Sequence, residues 1–355
     1  MAKPGPAHLI FRLQLKLHRL LHWEYWPMWT LYLSLAPWYL ACSLRARSLG
    51  FFNAVNPSFK YGGMSPESKD EMHLLFPPGM LPKSILIKKG EPLPDIEKRV
   101  DEQNLAFPMI VKPDRGYRGK QVKLVRDLNE LRQYAAGAGF DFLIQEYIPL
   151  PLEIGVFYMR YPDQSQGFIS GIVEKKGVTI TGDGIHTAGQ LVGKSYRYHP
   201  QSSWLEKENK SVWNTILGKD EQILLSPIGN HARGSTFYDS SHKASEKLNV
   251  VIDRLSQSIP GFYYGRYDIK FNSWEELENG LNFKVIELNG AFSEPTHIYD
   301  PGHSYLFGLK EMARHWRHMA KIARLNHNLG HPYLPVTEIV PMISDIYQNK
   351  TDLDR

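Results

Sequence analysis

Twenty consecutive residues, Tyr25 to Leu44, carry no charge, and Glu24 and Arg45 bound them. As a helix this run would be about 30 Å long, roughly the thickness of a hydrocarbon core. Two features argue against a simple span. Pro27 and Pro37 interrupt the run, and a proline inside a helix removes a hydrogen bond and kinks it. Trp26, Trp29, Tyr32, Trp38 and Tyr39 crowd it, side chains that favour the membrane interface. No small-residue cleavage site is evident, so the segment does not read as a secretory signal peptide.

Ahead of it, residues 8–22 place Leu9, Leu13, Leu17, Leu20 and Leu21 on one helical face, with Arg12, Lys16, Arg19 and the histidines off it. Basic amphipathic helices of this type lie flat on anionic lipid. Arg45 and Arg47 follow the apolar run, so cations on both sides strain a single span under the positive-inside rule. The expectation is a surface helix and a proline-bent, partly inserted hairpin. Residues 8–50 would then rest peripherally on the cytoplasmic face of a membrane. The alternative is a pair of ordinary helices buried against the rest of the chain or against a homodimer partner.

Length enters next: 355 residues point to two or three domains. With 42% hydrophobic and 22% charged residues, the chain is neither disordered, collagen-like nor a polytopic transporter. The net charge of +5 is spread along the sequence and gives no argument for nucleic acid. The single cysteine, Cys42, excludes an internal disulfide and a cysteine-cluster metal site, and a reducing compartment fits.

From Asn56 onward the pattern is α+β. A short helix is expected over 70–76 and a strand over 84–88. Strands at 107–112 and 121–125 flank a glycine-containing turn, and a helix capped by Asp127 runs to 136. Strands follow at 142–148, 155–161 and 167–173, a helix at 243–256, strands at 263–271 and 282–288, and a long basic helix over 305–328. Hairpins replace a regular βαβ alternation.

Chemistry concentrates in three segments. In Phe107-Pro-Met-Ile-Val-Lys-Pro-Asp-Arg-Gly-Tyr-Arg-Gly119, a strand delivers Lys112 and a turn with Gly116 and Gly119 lets backbone approach phosphate. In Phe142-Leu-Ile-Gln-Glu-Tyr-Ile-Pro-Leu-Pro-Leu-Glu153, an apolar strand enters a proline-stiffened connector able to offer backbone groups to an adenine edge. Glu153 is placed to accept from ribose hydroxyls. Gly265-Arg266-Tyr-Asp268-Ile and Phe283-Lys-Val-Ile-Glu287-Leu-Asn289-Gly read as two strands. Alternate residues share a face, so hairpin pairing would gather Asp268, Glu287 and Asn289, with Ile286 and Leu288 on the apolar side. That oxygen-only set suits Mg²⁺, and Arg266 beside it suits a phosphate oxygen.

Together, in this order, these segments resemble the ATP-grasp superfamily, with likeness to D-alanine–D-alanine ligase and to the ATP-grasp part of cyanophycin synthetase, from about Lys69 to Pro301. The resemblance implies an ATP-grasp fold of two α+β subdomains clamping ATP, behind a helical, apolar N-terminal region. The segments would be 1–55, a short 56–100 region, a small lid subdomain over 101–149, a large catalytic subdomain over 150–330 and a tail over 331–355. It implies Lys69 and Lys112 as the ATP lysines, the 116–119 turn as a phosphate-covering flap, Gln145 or Glu146 with the backbone of Ile148 as the adenine hinge, and Glu153 as ribose ligand. Asp268, Glu287 and Asn289 would hold Mg²⁺ (or Mn²⁺), and Arg266 would steady the transferred phosphoryl. Gly182-Asp-Gly-Ile-His186-Thr resembles a cyanophycin-synthetase segment, as does Asn230-His-Ala-Arg233-Gly-Ser235, where Arg233 stands in place of a small residue beside the reaction centre.

Glu294, His297 and Asp300, on the loop after the metal strand, are candidates for acceptor binding or deprotonation. Arg160, Lys175, Lys176 and Arg197 are weaker candidates for carboxylate or phosphate contacts. His315 and His318, three apart on the last predicted helix, have a spacing that could bind metal, but two histidines alone make a poor site, and they read as a solvated basic face. The implied chemistry is phosphorylation of a carboxylate by ATP and attack on the acyl phosphate by an amine. The alternatives are an ATP-grasp kinase of a small molecule or lipid headgroup and a non-catalytic ATP-binding scaffold. Only 68 residues precede Lys69, and they do not alternate strands and helices as the usual first domain of such ligases does. That opens the acceptor to small-molecule, peptide or lipid-linked substrates.

Overall fold

The computed structural model describes residues 6–65, 68–116 and 119–354, with side chains described between residues 10 and 348. In chain order the helices and strands begin with α1 (Pro6–Leu21), α2 (Met28–Ala46), α3 (Lys69–His73), β1 (Ser84–Ile87), α4 (Leu93–Glu102), β2 (Met109–Pro113), β3 (Lys123–Val125), α5 (Leu128–Gly137) and β4 (Phe142–Glu146). There follow β5 (Leu152–Met159), β6 (Phe168–Lys176), β7 (Val178–Thr181), α6 (Ala188–Lys194), α7 (Ser202–Glu208), α8 (Lys210–Trp213), β8 (Gln222–Ser226) and β9 (Thr236–Asp239). The chain ends with α9 (Glu246–Gln257), β10 (Tyr264–Phe271), α10 (Trp274–Glu278), β11 (Phe283–Asn289), α11 (Tyr305–Asn328) and α12 (Val336–Asp354).

Two compact units form. The first gathers Met1–Ala36, Glu174–Asp239 and His297–Glu311; the second gathers Pro37–Val173, Ser240–Thr296 and Met312–Arg355. These units cut across the segments drawn from sequence, because they are set by contacts between stretches remote in the chain. The N-terminal 55 residues divide at Pro37, and the 150–330 stretch contributes to both units.

The second unit holds two sheets. The smaller has strand order β1-β4-β2-β3. Because β1 pairs with β4 from Ser84↔Gln145 to Ile87↔Phe142, this layer begins well before residue 101. Ile96 and Val100 of α4 and Leu131 of α5 fill its core against Ile87, Met109 and Val111. Asp127 caps α5 by accepting from the Glu130 N–H at 2.9 Å. The larger sheet runs β11-β10-β5-β6, and Leu248 and Ile252 of α9 bury against Ile154, Val156, Ile269 and Val285. The later half of α2 packs on α11, where Trp38 Nε1 donates to the Ala313 carbonyl at 2.9 Å.

The first unit contains the antiparallel pair β7–β8, the helices α6 to α8 that connect these strands, and β9 beside the end of β6. Its core includes Val178, Val192, Leu205, Trp213 and Leu225. None of the elements between 178 and 226 was expected. They are four to seven residues long, too short for hydrophobic period to declare itself.

Two expectations are corrected. Pro37 does not break the apolar run: α2 continues through it from Met28 to Ala46, so the run forms one helix after Pro27 rather than a hairpin bent at Pro37. Packing on α11 sustains the helix past the lost hydrogen bond. His315 and His318 are not a solvated face. His315 is fully buried, with Nε2 at 3.0 Å from Ser170 Oγ, and His318 Nδ1 pairs with the Tyr161 hydroxyl. Among the described residues, no helix is long and apolar enough to cross a membrane.

Candidate active site

The site is assembled in the second unit from α3, β2, β4, β10 and β11. Strand β2, buried on both faces, delivers Lys112 and then Asp114. Lys112 Nζ donates to Gln145 Oε1 of β4 at 2.9 Å and reaches the Ile286 carbonyl of β11 at 3.5 Å. A bulge sets up that second contact. The β10–β11 register passes from Asp268↔Glu287 to Ile269↔Val285, leaving Ile286 as the extra residue, with its carbonyl turned toward the lysine. The buried apolar pair on β11 is therefore Val285 and Leu288, not Ile286 and Leu288. Burial, and after it the charge of Lys69, push the Lys112 ammonium down to about 8, against Glu287, Asp114 and Asp268.

Lys69 opens the short helix α3. Its Nζ donates to the Asp114 carbonyl at 3.1 Å and stands 3.8 Å from Glu287 Oε1. Asp114 fastens this helix: its Oδ1 accepts from Ser68 Oγ at 3.0 Å and from the Asp70 N–H at 3.1 Å. At the other end of α3, His73 Nδ1 meets Ser84 Oγ at 2.7 Å. Burial, followed by the charge of Lys112, lowers the His73 imidazole to about 4. The sequence gives little sign of Asp114 or His73: Asp114 is simply the residue two beyond Lys112, and no motif surrounds His73.

The hairpin sets Asp268 opposite Glu287 and Arg266 opposite Asn289. Arg266 Nε donates to Asp268 Oδ1 at 3.1 Å, and Nη1 donates to the Glu294 carbonyl at 3.0 Å. Burial works against the Arg266 charge, but the Asp268 carboxylate outweighs it and holds the guanidinium above its ordinary range. Gly155 of β5 faces Asp268; a Cβ there would lie 2.8 Å from Val173 Cγ1 and 3.3 Å from Asp268 Oδ1. The loop before α3 clamps the end of β11. Ala291 and Phe292 donate backbone N–H groups to the Gly62 and Gly63 carbonyls at 3.0 and 2.9 Å. A Cβ on Gly63, at φ +83, would sit 2.6 Å from the Gly290 Cα. Buried Asn56 locks this loop to β10, donating to the Gly62 and Tyr264 carbonyls and accepting from the Tyr263 and Tyr264 N–H groups.

Among the described residues, no three Asp, Glu, His or Cys side chains converge as a metal cage. The donors at the hairpin are two carboxylates and one amide, a set that suits Mg²⁺, which takes its remaining oxygens from water and phosphate. The Asn289 amide nitrogen is buried without a hydrogen-bond partner, which leaves that end of the side chain uncommitted.

The other expected residues are placed as follows. A Cβ on Gly116 would lie 3.1 Å from Lys69 Nζ, and Gly119 has φ +70; Tyr117 and Arg118 of the expected flap lie outside the described residues. Of the two hinge alternatives, Gln145 is buried beside Lys112. Glu146 is committed to the residue just before β1, its Oε2 accepting from the Lys83 N–H at 3.1 Å. Ile148 is buried, and Glu153 lies opposite Lys270. Arg160 sits over the Tyr263 ring. Glu294 belongs to the second unit, whereas His297 and Asp300 belong to the first. There His297 Nε2 meets Glu311 at 3.2 Å, and Asp300 accepts from the Asp239 and Gly302 N–H groups.

Also in the first unit, His186 lies between Asp183 at 2.6 Å and Lys194 at 2.7 Å. Arg233 sits over the Trp204 ring, and Lys175 and Lys176 sit over Phe237 and Tyr238. Arg197 is bound to Glu24.

Residues 72–153 match the family model described as RimK-like ATP-grasp domain. No curated protein sequence matches the chain. Similar solved structures include a bifunctional glutathione synthetase from Pasteurella multocida, at 15% identity and a TM-score of 0.36, covering 69% of this chain and 35% of that one. A D-alanine–D-alanine ligase from Bacillus anthracis aligns at 16% identity and a TM-score of 0.38, covering 73% and 68%. The VanG D-Ala:D-Ser ligase from Enterococcus faecalis aligns at 13% and 0.41, covering 74% and 61%. The chain thus spans about a third of the length of the first of these and between three fifths and seven tenths of the other two. The resemblance to the ATP-grasp superfamily drawn from motifs is borne out by the family match over residues 72–153.

Proposed function

We propose that this ATP-grasp chain is an Mg-ATP-dependent ligase that activates a carboxylate as an acyl phosphate for attack by an amine, at the cytoplasmic surface of a membrane. The supporting observation is one constellation: Lys69, Lys112 and Arg266 gathered around Asp268, Glu287 and Asn289 across the two sheets of a single unit. Phosphoryl transfer asks the protein chiefly for positioning and charge. Lys69 and Lys112 receive the nucleotide phosphates, and Arg266, held by Asp268, faces the phosphoryl group in transfer. Bound Mg²⁺ would supply further neutralisation of phosphate charge from Asp268, Glu287 and Asn289. The carboxylate oxygen attacks the γ-phosphorus and ADP leaves. The amine then attacks the acyl carbon, releases inorganic phosphate and gives up a proton. The acceptor class extends to small molecules, peptides and lipid-linked groups.

The test is a product assay on the full-length protein in nanodiscs with Mg-ATP and pooled amino acids, peptides or lipid extract, with Asp268→Asn as the blank. Phosphate release that requires both a pool and Asp268 is expected. ADP without free phosphate would replace the ligase with a kinase. ATP binding without turnover in every pool would leave a scaffold.

A further inference from the structure

Helix α1 carries three faces. Phe11, Leu15, His18 and His22 share one at helical spacing, and it meets the protein: the Phe11 ring lies 5.6 Å from Tyr196 and 5.0 Å from His199, and His18 lies 5.1 Å from Tyr196. Ile10, Leu13, Leu17, Leu20 and Leu21 share a second, about 100° wide. Every one of them is more than half exposed, Leu21 reaching 70%. Arg12, Lys16 and Arg19, all exposed, run along the flank between these two faces, and the helix has no acidic residue. Leu9 belongs to the helix, but its side chain lies outside the described residues.

The turn that ends α1 fixes this orientation. Trp23 Nε1 donates to the His303 carbonyl at 2.8 Å. The buried Glu24 carboxylate is held by Arg197 Nη2 at 2.7 and 2.8 Å and by His231 Nε2 at 2.8 Å. The leucine face cannot roll inward while these hold. Past the turn, Trp29 and Leu33 expose their side chains on successive turns of α2, and Tyr305 pins this stretch, its hydroxyl donating to the Thr30 carbonyl at 3.0 Å and pairing with the Ser34 hydroxyl at 2.8 Å.

We infer that this face is a one-sided lipid contact: α1 lies in the plane of an anionic phospholipid bilayer, with its leucines at the acyl boundary and Arg12, Lys16 and Arg19 at the phosphates. This names the partner for the membrane part of the proposed function and rests on that part alone. Charge selects the occupant. The basic strip beside the leucines complements anionic headgroups, whereas a second copy of the helix would bring a strip of the same sign against it. The helix lies on the membrane rather than crossing it.

The test sediments full-length protein with vesicles of phosphatidylcholine, alone or with about a third phosphatidylglycerol, while ATP binding is measured on the same preparations. Three basic residues near such a surface predict a preference for the anionic vesicles on the order of a hundredfold. Leu17→Glu with Leu21→Glu should lower that binding at least tenfold. Arg12→Gln together with Lys16→Gln and Arg19→Gln should remove the preference for anionic lipid. These side chains are exposed, so the variants should keep the wild-type melting curve and nucleotide affinity. Absence of vesicle binding with ATP binding intact would overturn this inference and leave the ligase standing. Vesicle binding untouched by either variant would overturn it too. So would a dimer in sedimentation velocity that Leu17→Glu abolishes, since a second copy would then own the face. Loss of ATP binding in the wild type would count against the nucleotide site instead.

Discussion

Raising the pH should weaken nucleotide binding and stabilise the free protein at once, and Lys112 is the reason. Its ammonium is buried next to Lys69 and held at about 8, whereas in the unfolded chain it titrates in the ordinary lysine range near 10.4. Between these values the unfolded state binds the extra proton, so stability rises with pH across this window. The proton gained or lost is worth up to about 3 kcal/mol. Nucleotide phosphates have the opposite effect on the same group: they favour its charged form and return its titration toward the ordinary range. Affinity should then follow the protonated fraction of the free enzyme, which falls from about nine tenths at pH 7 to about one tenth at pH 9. The expected loss in ATP affinity is about tenfold, with close to one proton taken up per ATP bound at pH 9. The terminal phosphate is already ionised in this range, so the ligand does not contribute the slope. The assay is titration calorimetry in two buffers of different ionisation enthalpy, with Lys112→Met as control. The variant should bind weakly at every pH with a flat profile. A flat profile in the wild type, or the same slope in Lys112→Met, would refute the assignment.

Other consequences can be checked alongside. Asp114→Ala removes the acceptor for Ser68 Oγ and the Asp70 N–H, a loss of about 1–3 kcal/mol in holding α3. The KM for ATP should rise about tenfold while kcat changes little; an unchanged KM would reduce Asp114 to a bystander. His73 stays neutral in the fold down to about 4 but titrates near 6.5 when unfolded, so stability should fall by about 2–3 kcal/mol as pH drops through that window. Urea melts at pH 7.5 and 4.5 would show this, and His73→Gln should remove most of the difference. Gly155→Ala would press a methyl between Val173 and the Arg266–Asp268 pair, costing about 1–3 kcal/mol and lowering kcat more than nucleotide affinity; equal turnover in the variant would show that the pair has room to move.

Some of this was legible in the chain and some was not, for identifiable reasons. The β10–β11 hairpin could be read because period 2 places Arg266 with Asp268 and Glu287 with Asn289 whatever lies around them. The bulge at Ile286 could not, since a single inserted residue leaves no mark in the composition of β11, yet it turns a carbonyl toward Lys112. Asp114 was likewise invisible as a fastener: its partners Ser68 and Asp70 lie more than forty residues earlier, and only the fold brings them together. Pro37 predicts an interruption because a proline costs a helix about 3 kcal/mol; the contacts of Trp38 and Cys42 with α11 override that preference.

Helix α1 shows a different limit. Amphipathic spacing identified its leucine face correctly as one surface, but spacing says which residues share a face and not which face is covered. The opposite side, which looked merely basic and histidine-rich, also carries Phe11 and Leu15, and there the rings of Phe11 and His18 dock on Tyr196. A helix with two apolar faces and one protein surface to pack on must leave one face over. In α1 the aromatic face won the protein, because flat rings give Phe11 and His18 stacking partners that the leucines lack, and the leucines stay exposed.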